Sequence, residues 1–168
     1  MATVRLEKLE DVEAVRRVNH QAFETQAEGG LVDLLRSRGK LVASLVAEDG
    51  DRLVGHIAFS PVNISSSPKL RGVGLGPMAV VPDSQRQGIG SELVRAGLDR
   101  CREMGYDYAA VLGHPEYYPR FGFVPASKYG ITCMWEVPEG VFMALELRPQ
   151  ALVGTSGLAM YEPEFNEA

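Results

Sequence analysis

Residues 80–93 read VVPDSQRQGIGSEL and carry the strongest functional signal in the chain. An apolar strand stops at Pro82, a polar turn follows, and Gly88 and Gly90 open a helix. The first amides of a helix have no internal partner, and the helix dipole favours anions at that end. Glycines there leave room for a phosphate to approach the backbone. We therefore predict a phosphate-binding strand–loop–helix unit.

Two glycines alone are a weak signal, because they can also serve only to let a helix pack closely against a sheet. Two competing phosphate motifs are excluded. No Gly-Lys-Ser/Thr follows, so the stretch is not a Walker loop. Leu93 stands where a dinucleotide-binding fingerprint has its third glycine. The packing interpretation stays open at this point.

The spacing of apolar residues predicts the other elements, in the order β-α-α-β-β-β-α-β-α-β-β. Hairpins and helix crossovers both occur, which indicates an α/β (α+β) fold with a mixed sheet flanked by helices. Asp49-Gly50 predicts a tight hairpin turn. We expect strands at 4–6, 41–47, 53–64, 72–81, 106–112, 123–124 and 141–147, helices at 12–22, 31–35 and 88–104, and a short helix or turn at 115–120.

Pro77 lies in the middle of the most apolar predicted strand, residues 72–81. Proline cannot donate to a strand ladder, so a regular central strand should not contain one. The strand is therefore either at an edge of the sheet or bulged and splayed. Residues 78–81 read as fully buried, which favours the bulge.

The length of 168 residues suits a single domain, residues 1–168, with a core at about 3–147. The periodic signal fades after Pro149. We expect residues 150–168 to form a C-terminal tail that is loose from Tyr161 onwards.

Seventeen basic and twenty-two acidic residues give a net charge of −5. An acidic chain without a basic run argues against nucleic-acid binding. The first ten residues lack the apolar core of a secretion signal, and no apolar run is long enough to span a membrane. We therefore expect a cytoplasmic protein without a membrane partner.

The two cysteines, Cys101 and Cys133, lie far apart in the sequence. They indicate free thiols in a reducing compartment. A metal site would need more ligands than these cysteines and three scattered histidines provide, so we expect no metal.

The motif Gln85-x-x-Gly88-x-Gly90 resembles the Gln/Arg-x-x-Gly-x-Gly/Ala signature of the GNAT superfamily, the GCN5-related N-acetyltransferases. Residues 117–123, YYPRFGF, are similar to the superfamily's Tyr-x-x-x-Gly-Phe motif. The stretches 55–62 and 75–80 look like the YhbS-type branch of predicted acetyltransferases. The resemblance covers about residues 3–147 in element order.

The resemblance implies acetyl-coenzyme A as the acyl donor and a bulged fourth strand whose freed backbone pairs with the pantetheine arm. The loop after that strand would hold the pyrophosphate. The coenzyme-binding residues implied in this way are Met78, Ala79, Val80, Gln85, Arg86, Gln87, Gly88, Ile89, Gly90, Ser91, Tyr118 and Phe121.

Tyr118 matches the family tyrosine that donates a proton to the departing thiolate. The alternative role is that of an aromatic residue packed beside the coenzyme. A phenol has a pKa near 10 and a thiol one near 8.5, so placement and solvation would have to assist the transfer. Tyr117 should point in a different direction, since neighbouring residues on a helix do not share a face.

No general base is evident. His56 and Ser60 share a face of their strand, but a histidine in an apolar strand is typical of a core residue. His114 follows a strand end, a position more typical of function. Glu24 and Glu28 could meet a cationic acceptor, although solvated surface charge explains both.

These features predict an N-acetyltransferase that passes the acetyl group to a primary amine by direct attack in a ternary complex. Two alternatives stay open: a GNAT-fold sensor that binds acyl-coenzyme A without catalysis, and a structural protein whose glycines serve packing. The acceptor is a small-molecule or protein amine that the sequence does not identify. A homodimer is suggested by the resemblance alone.

Overall fold

The computed structural model describes residues 2–23 and 25–167 of the chain. In this part there are nine strands and three α-helices, joined by short 3-10 turns. In chain order they are β1 (Thr3–Leu6), α1 (Val12–Phe23), α2 (Ala27–Ser37), β2 (Ala43–Asp49), β3 (Arg52–Ile64), β4 (Gly72–Val80), α3 (Ile89–Glu103), β5 (Tyr108–Leu112), β6 (Val124–Pro125), β7 (Ile131–Cys133), β8 (Phe142–Glu146) and β9 (Gly157–Tyr161).

One mixed sheet joins all the described strands, in the order β1-β2-β3-β4-β5-β8-β6. Neighbours on this path are antiparallel except β4 and β5, which run parallel on either side of the α3 crossover. The strand β9 pairs with the last residues of β3 and lies parallel to β7. The predicted mixed sheet flanked by helices is confirmed.

The strand β3 is buried on both faces because a helix covers each of them. On one face His56 contacts Asn19 of α1. On the other face Phe59 lies against Gly97 of α3, so closely that a Cβ on that glycine would overlap the ring. Close packing of α3 on β3 therefore requires a glycine at position 97.

The strand β4 contains the bulge that Pro77 predicted. Ile57 of β3 pairs with Met78 and Phe59 pairs with Leu75, so β4 has one extra residue between these pairs. The parallel pairing with β5 ends at Leu75. Gly76 has a φ of 132°, a backbone conformation that favours glycine. The proline thus marks a splayed inner strand and not a sheet edge.

The segment after Leu112 forms a turn, one of the two forms expected at 115–120. It contains a 3-10 turn, Tyr118–Phe121, which ends at Gly122 with a φ of 99°. Pro119 lies in the first two positions of this turn, where its missing N–H costs no hydrogen bond within the turn.

The C-terminal segment corrects the expectation of a loose tail from Tyr161 onwards. Residues 157–161 form β9, and residues 163–166 form a 3-10 turn that packs on α2. The carboxylate of Glu164 is only 1% exposed and accepts hydrogen bonds from Lys40 at 2.9 Å and Arg38 at 3.0 Å. These partners lie more than 120 residues away in the sequence, where no periodic pattern could indicate them.

We predict that Glu164→Gln removes part of the pH dependence of folding stability. Hydrogen bonds from Lys40 and Arg38 lower the pKa of Glu164 from 4.5 to about 2. Stability that depends on this carboxylate is present above pH 4.5 and lost as the pH falls towards 2. Urea unfolding from pH 7 downwards should show a lower free energy of unfolding for the variant at pH 7 and a shallower decline in acid.

Glu167→Gln is the matched control, because Glu167 pairs with the same Arg38 but is exposed. Exposed ion pairs contribute little to stability, so this variant should follow the parent protein. Equal acid sensitivity of the parent and Glu164→Gln would contradict the assignment.

Candidate active site

The loop between β4 and α3 has a backbone conformation that is typical of anion sites. Arg86 has a φ of 65° and Gly88 one of 84°, so two left-handed residues lie within three positions of the chain. Successive amides in such a conformation form a concave anion site, and the N-terminus of α3 adds its dipole directly behind it.

Neither motif glycine is needed for packing. A Cβ on Gly88 would meet no atom within 4 Å, so only its φ favours glycine there. A Cβ on Gly90 would meet the Tyr117 hydroxyl at 3.5 Å and Met78 Cε at 3.6 Å, which are ordinary contact distances. Close packing therefore requires neither glycine, in contrast to Gly97, and the space beside Gly88 is open.

A cavity of about 260 Å³, here called the loop cavity, lies in front of these amides. Two arginines supply positive charge to it. Arg120 stacks over the Tyr117 ring at 4.3 Å, and the Tyr117 hydroxyl lies 3.0 Å from Ser91 Oγ. The lining residues are Val80, Ser84, Gln85, Arg86, Gly88, Ile89, Gly90, Ser91, Tyr117 and Arg120.

Three of these lining residues were not among the expected site residues: Ser84, Tyr117 and Arg120. Tyr117 and Arg120 stand inside the quoted YYPRFGF motif, so the motif itself was the available signal. Tyr117 and Tyr118 do point in different directions, as expected, because each lines a different cavity.

Three expected coenzyme residues have other contacts in the structure. Gln85 donates a hydrogen bond to the Val80 carbonyl at 2.9 Å and so ties the loop to β4. Gln87 lines a separate small cavity with Ala2 and Glu92. Phe121 packs against the Tyr117 ring with 5.4 Å between ring centroids and does not line the loop cavity. The coenzyme-binding roles of these three residues and of the other expected site residues stay predictions.

A second cavity, of about 410 Å³, opens where β4 and β5 separate, and is here called the splay cavity. Met78 lies between the two cavities, since it lines the splay cavity and its side chain approaches Gly90. The lining residues are Phe23, Glu28, Leu75, Gly76, Pro77, Met78, Leu112, Gly113, His114, Tyr118, Trp135, Tyr161 and Phe165.

Tyr118 lines the splay cavity, and its ring is held by close contacts. Its ring contacts Phe123 edge-on at 5.8 Å between centroids, and a Cβ on Gly113 would overlap the ring. The side chain is 7% exposed, and burial together with the neighbouring Tyr117 raises its pKa to about 12. No other described residue forms a hydrogen bond with the Tyr118 hydroxyl. The phenol is therefore protonated at neutral pH and free to donate into the cavity.

The titratable residues suggested by the sequence separate into two groups. His114 and Glu28 both line the splay cavity, and Thr25 donates a hydrogen bond to Glu28 at 2.7 Å. Glu24 lies outside the described residues. His56 is fully buried beside Asn19 and Ser44, and burial, with the charge of Arg36, lowers its pKa to about 3. His56 is thus a core residue.

A further cavity, of about 450 Å³, lies beside β1 and is lined by residues such as Lys8 and Arg36. It contains neither motif. The described residues include no group of three or more His, Cys, Asp or Glu side chains placed to hold a metal ion. Among the same residues, no α-helix has the length and apolar character needed to cross a membrane.

An anion site at a helix start beside two splayed parallel strands is the arrangement that the GNAT resemblance implied. The acetyltransferase (GNAT) domain family matches residues 3–126, and the chain belongs to this family. It is 37% identical to the uncharacterized N-acetyltransferase YhbS of Escherichia coli K12 over 164 residues, 97% of this chain and 98% of that protein. The predicted YhbS-type branch is thereby confirmed.

Two solved structures are similar along almost the whole chain. The crystal structure of E. coli YhbS in complex with coenzyme A superposes with a TM-score of 0.93, covering 98% of this chain and 92% of that one. A Brucella melitensis GNAT acetyltransferase in complex with acetyl-coenzyme A is 35% identical, with a TM-score of 0.81 and 98% of each chain covered.

We predict that Gly90→Ala strengthens the fold and weakens coenzyme binding. Alanine in the helix should raise the free energy of unfolding by up to about 1 kcal/mol, since glycine is a poor helix former. Its Cβ would stand beside the anion-binding amides. Loss of one hydrogen bond to a charged group corresponds to roughly a 10- to 100-fold lower affinity for coenzyme A. Urea unfolding and calorimetric titration measure the two effects separately.

Gly30→Ala is the matched control, because Gly30 is an exposed helical glycine whose Cβ would meet nothing within 4 Å. It should gain similar stability and keep the coenzyme affinity of the parent. If Gly90→Ala behaved in the same way, the amides at Gly90 would have no role in coenzyme binding.

Proposed function

We propose that the protein is an acetyl-coenzyme A-dependent N-acetyltransferase that acetylates a primary amine by direct attack in a ternary complex. One observation carries this proposal: Tyr118, whose hydroxyl bonds to no described residue, lines the splay cavity, and Met78 lies between that cavity and the loop cavity. The relatives with bound coenzyme A and acetyl-coenzyme A support the choice of donor.

The residues of the loop cavity fit a pyrophosphate. The amides from Arg86 to Ser91 would donate hydrogen bonds to it, and the guanidinium groups of Arg86 and Arg120 would balance its charge. The edge of β4 beyond Leu75 pairs with no described strand on the β5 side. Backbone groups of Met78, Ala79 and Val80 along this edge would bond to the pantetheine arm.

Bound acetyl-coenzyme A supplies a thioester carbonyl and a sulfur leaving group. Tyr118 donates a proton to that sulfur as the carbon–sulfur bond breaks and its electron pair moves to sulfur. A base at the splay cavity accepts the proton that the amine nitrogen loses on bonding to the carbonyl carbon. An amine that arrives as ammonium first loses one proton to water. The neutral amine then loses one proton to the base while sulfur gains one from Tyr118, so the protons balance, and proton exchange with solvent restores the base and the phenol.

Burial keeps the Tyr118 phenol protonated but also makes it a weaker acid. The pKa of about 12 keeps the phenol protonated at neutral pH, but a phenol of that pKa is a weaker acid than a thiol. The Tyr118 hydroxyl would therefore act first as a hydrogen-bond donor that is already positioned towards the sulfur. Its proton would move to the sulfur as negative charge forms there.

Two described groups of the splay cavity can accept the amine proton, His114 and Glu28. His114 is exposed and follows the end of β5, while Glu28 stands on α2 with one oxygen bonded to Thr25. A carboxylate at this position would also attract the cationic form of an approaching amine.

Coenzyme binding and thiol release test this function. Acetyl-coenzyme A at 100 times its dissociation constant should stabilise the fold by about 2.7 kcal/mol, seen as a raised melting temperature. Free thiol should then appear in the presence of an accepted amine. An unchanged melting temperature at saturating coenzyme would refute the proposal, and binding without turnover for every class of amine would favour a sensor.

We predict that Tyr118→Phe lowers turnover by roughly 10²- to 10⁴-fold, the usual effect of losing a general acid. Phenylalanine keeps the ring and its contacts with Phe123, so coenzyme affinity should change little. Single-turnover thiol release and calorimetry measure the two quantities.

Tyr117→Phe is the complementary variant, because its hydroxyl lies in the loop cavity beside Ser91. We expect this variant to weaken coenzyme binding and to keep the chemical step. Full turnover in Tyr118→Phe would reduce Tyr118 to a packing role and assign the proton to water.

A further inference from the structure

The end of the splay cavity formed by the C-terminal half of the chain is aromatic. Trp135, Tyr161 and Phe165 form a three-ring cluster, here called the aromatic wall. The Tyr161 ring centroid lies 5.1 Å from that of Trp135 and 5.1 Å from that of Phe165. All three rings line the splay cavity, and Phe23 of α1 joins them there.

The aromatic wall is held in place by specific contacts. Trp135 Nε1 donates a hydrogen bond to Asn166 at 2.9 Å, and Tyr161 pairs with Val62 in the β3–β9 ladder. The buried Glu164 next to Phe165 is bonded to Arg38 and Lys40. The three rings therefore present a preformed surface to any ligand.

The hydroxyl of Tyr161 is buried and unpartnered. The residue is 6% exposed, and no described atom forms a hydrogen bond with this oxygen. Burial raises the pKa of Tyr161, so the group is a neutral donor and acceptor. A buried hydroxyl without a partner carries a desolvation penalty, which a ligand with a polar atom at this place would relieve.

The charges of the splay cavity do not suit a polycation. Of the described residues that line it, Glu28 is the only one with a carboxylate. Polyamines and aminoglycosides carry several ammonium groups, each of which needs an anionic or polar partner when it leaves water. One carboxylate beside an aromatic surface fits a ligand with one amine and one ring.

We propose that the acceptor is a primary amine carried on an aromatic ring with a polar substituent, the ring against the aromatic wall and the substituent bonded to the Tyr161 hydroxyl. This inference rests on the proposed acetyl transfer for its chemistry, but the binding that it describes can be measured without turnover. Glu28 attracts the ammonium end of this acceptor towards Tyr118.

The single tryptophan of the chain is Trp135, so its fluorescence reports on the aromatic wall alone. The probes are tyramine, 2-phenylethylamine and spermidine, with excitation at wavelengths that only indole absorbs. Titrations are run with and without coenzyme A. We expect saturable changes for the two aromatic amines, with dissociation constants about 10- to 100-fold below that of spermidine, because ring burial favours them.

The polar substituent is tested with Tyr161→Phe, which keeps the ring. In the parent protein tyramine should bind about 2- to 10-fold more tightly than 2-phenylethylamine, which is the difference in affinity that one hydrogen bond makes. In Tyr161→Phe this ratio should fall to about one. Tyr106→Phe is the control, since Tyr106 packs under Arg71 outside the splay cavity and should keep the ratio of the parent.

Acetyl transfer provides the second readout, with kcat/KM expected in the same order, tyramine above 2-phenylethylamine above spermidine. Tighter binding or faster acetylation of spermidine would overturn the proposal, as would the absence of any fluorescence change with tyramine. Failure of coenzyme A to bind would contradict the proposed function instead. The titrations without coenzyme A would still decide whether the aromatic wall binds the ring.

Discussion

The separation of β4 from β5 after Leu75 is the constraint on which the rest of the structure depends. Two parallel strands normally continue to pair, since each buried backbone group without a partner costs about 1–3 kcal/mol. Pro77 has no N–H to offer, and the extra residue in β4 shifts its register against β3. The gap that results exposes a strand edge, creates the splay cavity and places Met78 beside the start of α3.

The local parts of this arrangement could be predicted from the sequence, because each has a cause within a few residues. Pro77 in an apolar run indicated the bulge, and the glycines before Leu93 indicated the anion site at a helix start. The parts that depend on distant residues could not be predicted. The strand β9 depends on backbone pairing with β3, where Tyr161 lies opposite Val62. The turn at residues 163–166 is held by the ion pairs of Glu164 with Arg38 and Lys40.

The same distinction holds inside the candidate site. The loop cavity is lined by residues 80–91 together with two residues of the YYPRFGF motif. Most of its lining could therefore be predicted from the sequence motifs. The splay cavity collects side chains from α1, α2, β4, β5 and the C-terminal segment. The sequence indicates its aromatic wall only weakly, by the single tryptophan, Trp135, and the later aromatic residues Tyr161 and Phe165.

The segment that carries the aromatic wall lies beyond the part of the chain that matches the GNAT domain family. That match ends at residue 126, whereas the three rings come from residues 135–165. The residues that line the loop cavity thus lie inside the matched region, whereas the aromatic wall lies outside it. Substitutions in the aromatic wall can therefore reshape that end of the splay cavity while the lining of the loop cavity and the bulge in β4 stay unchanged.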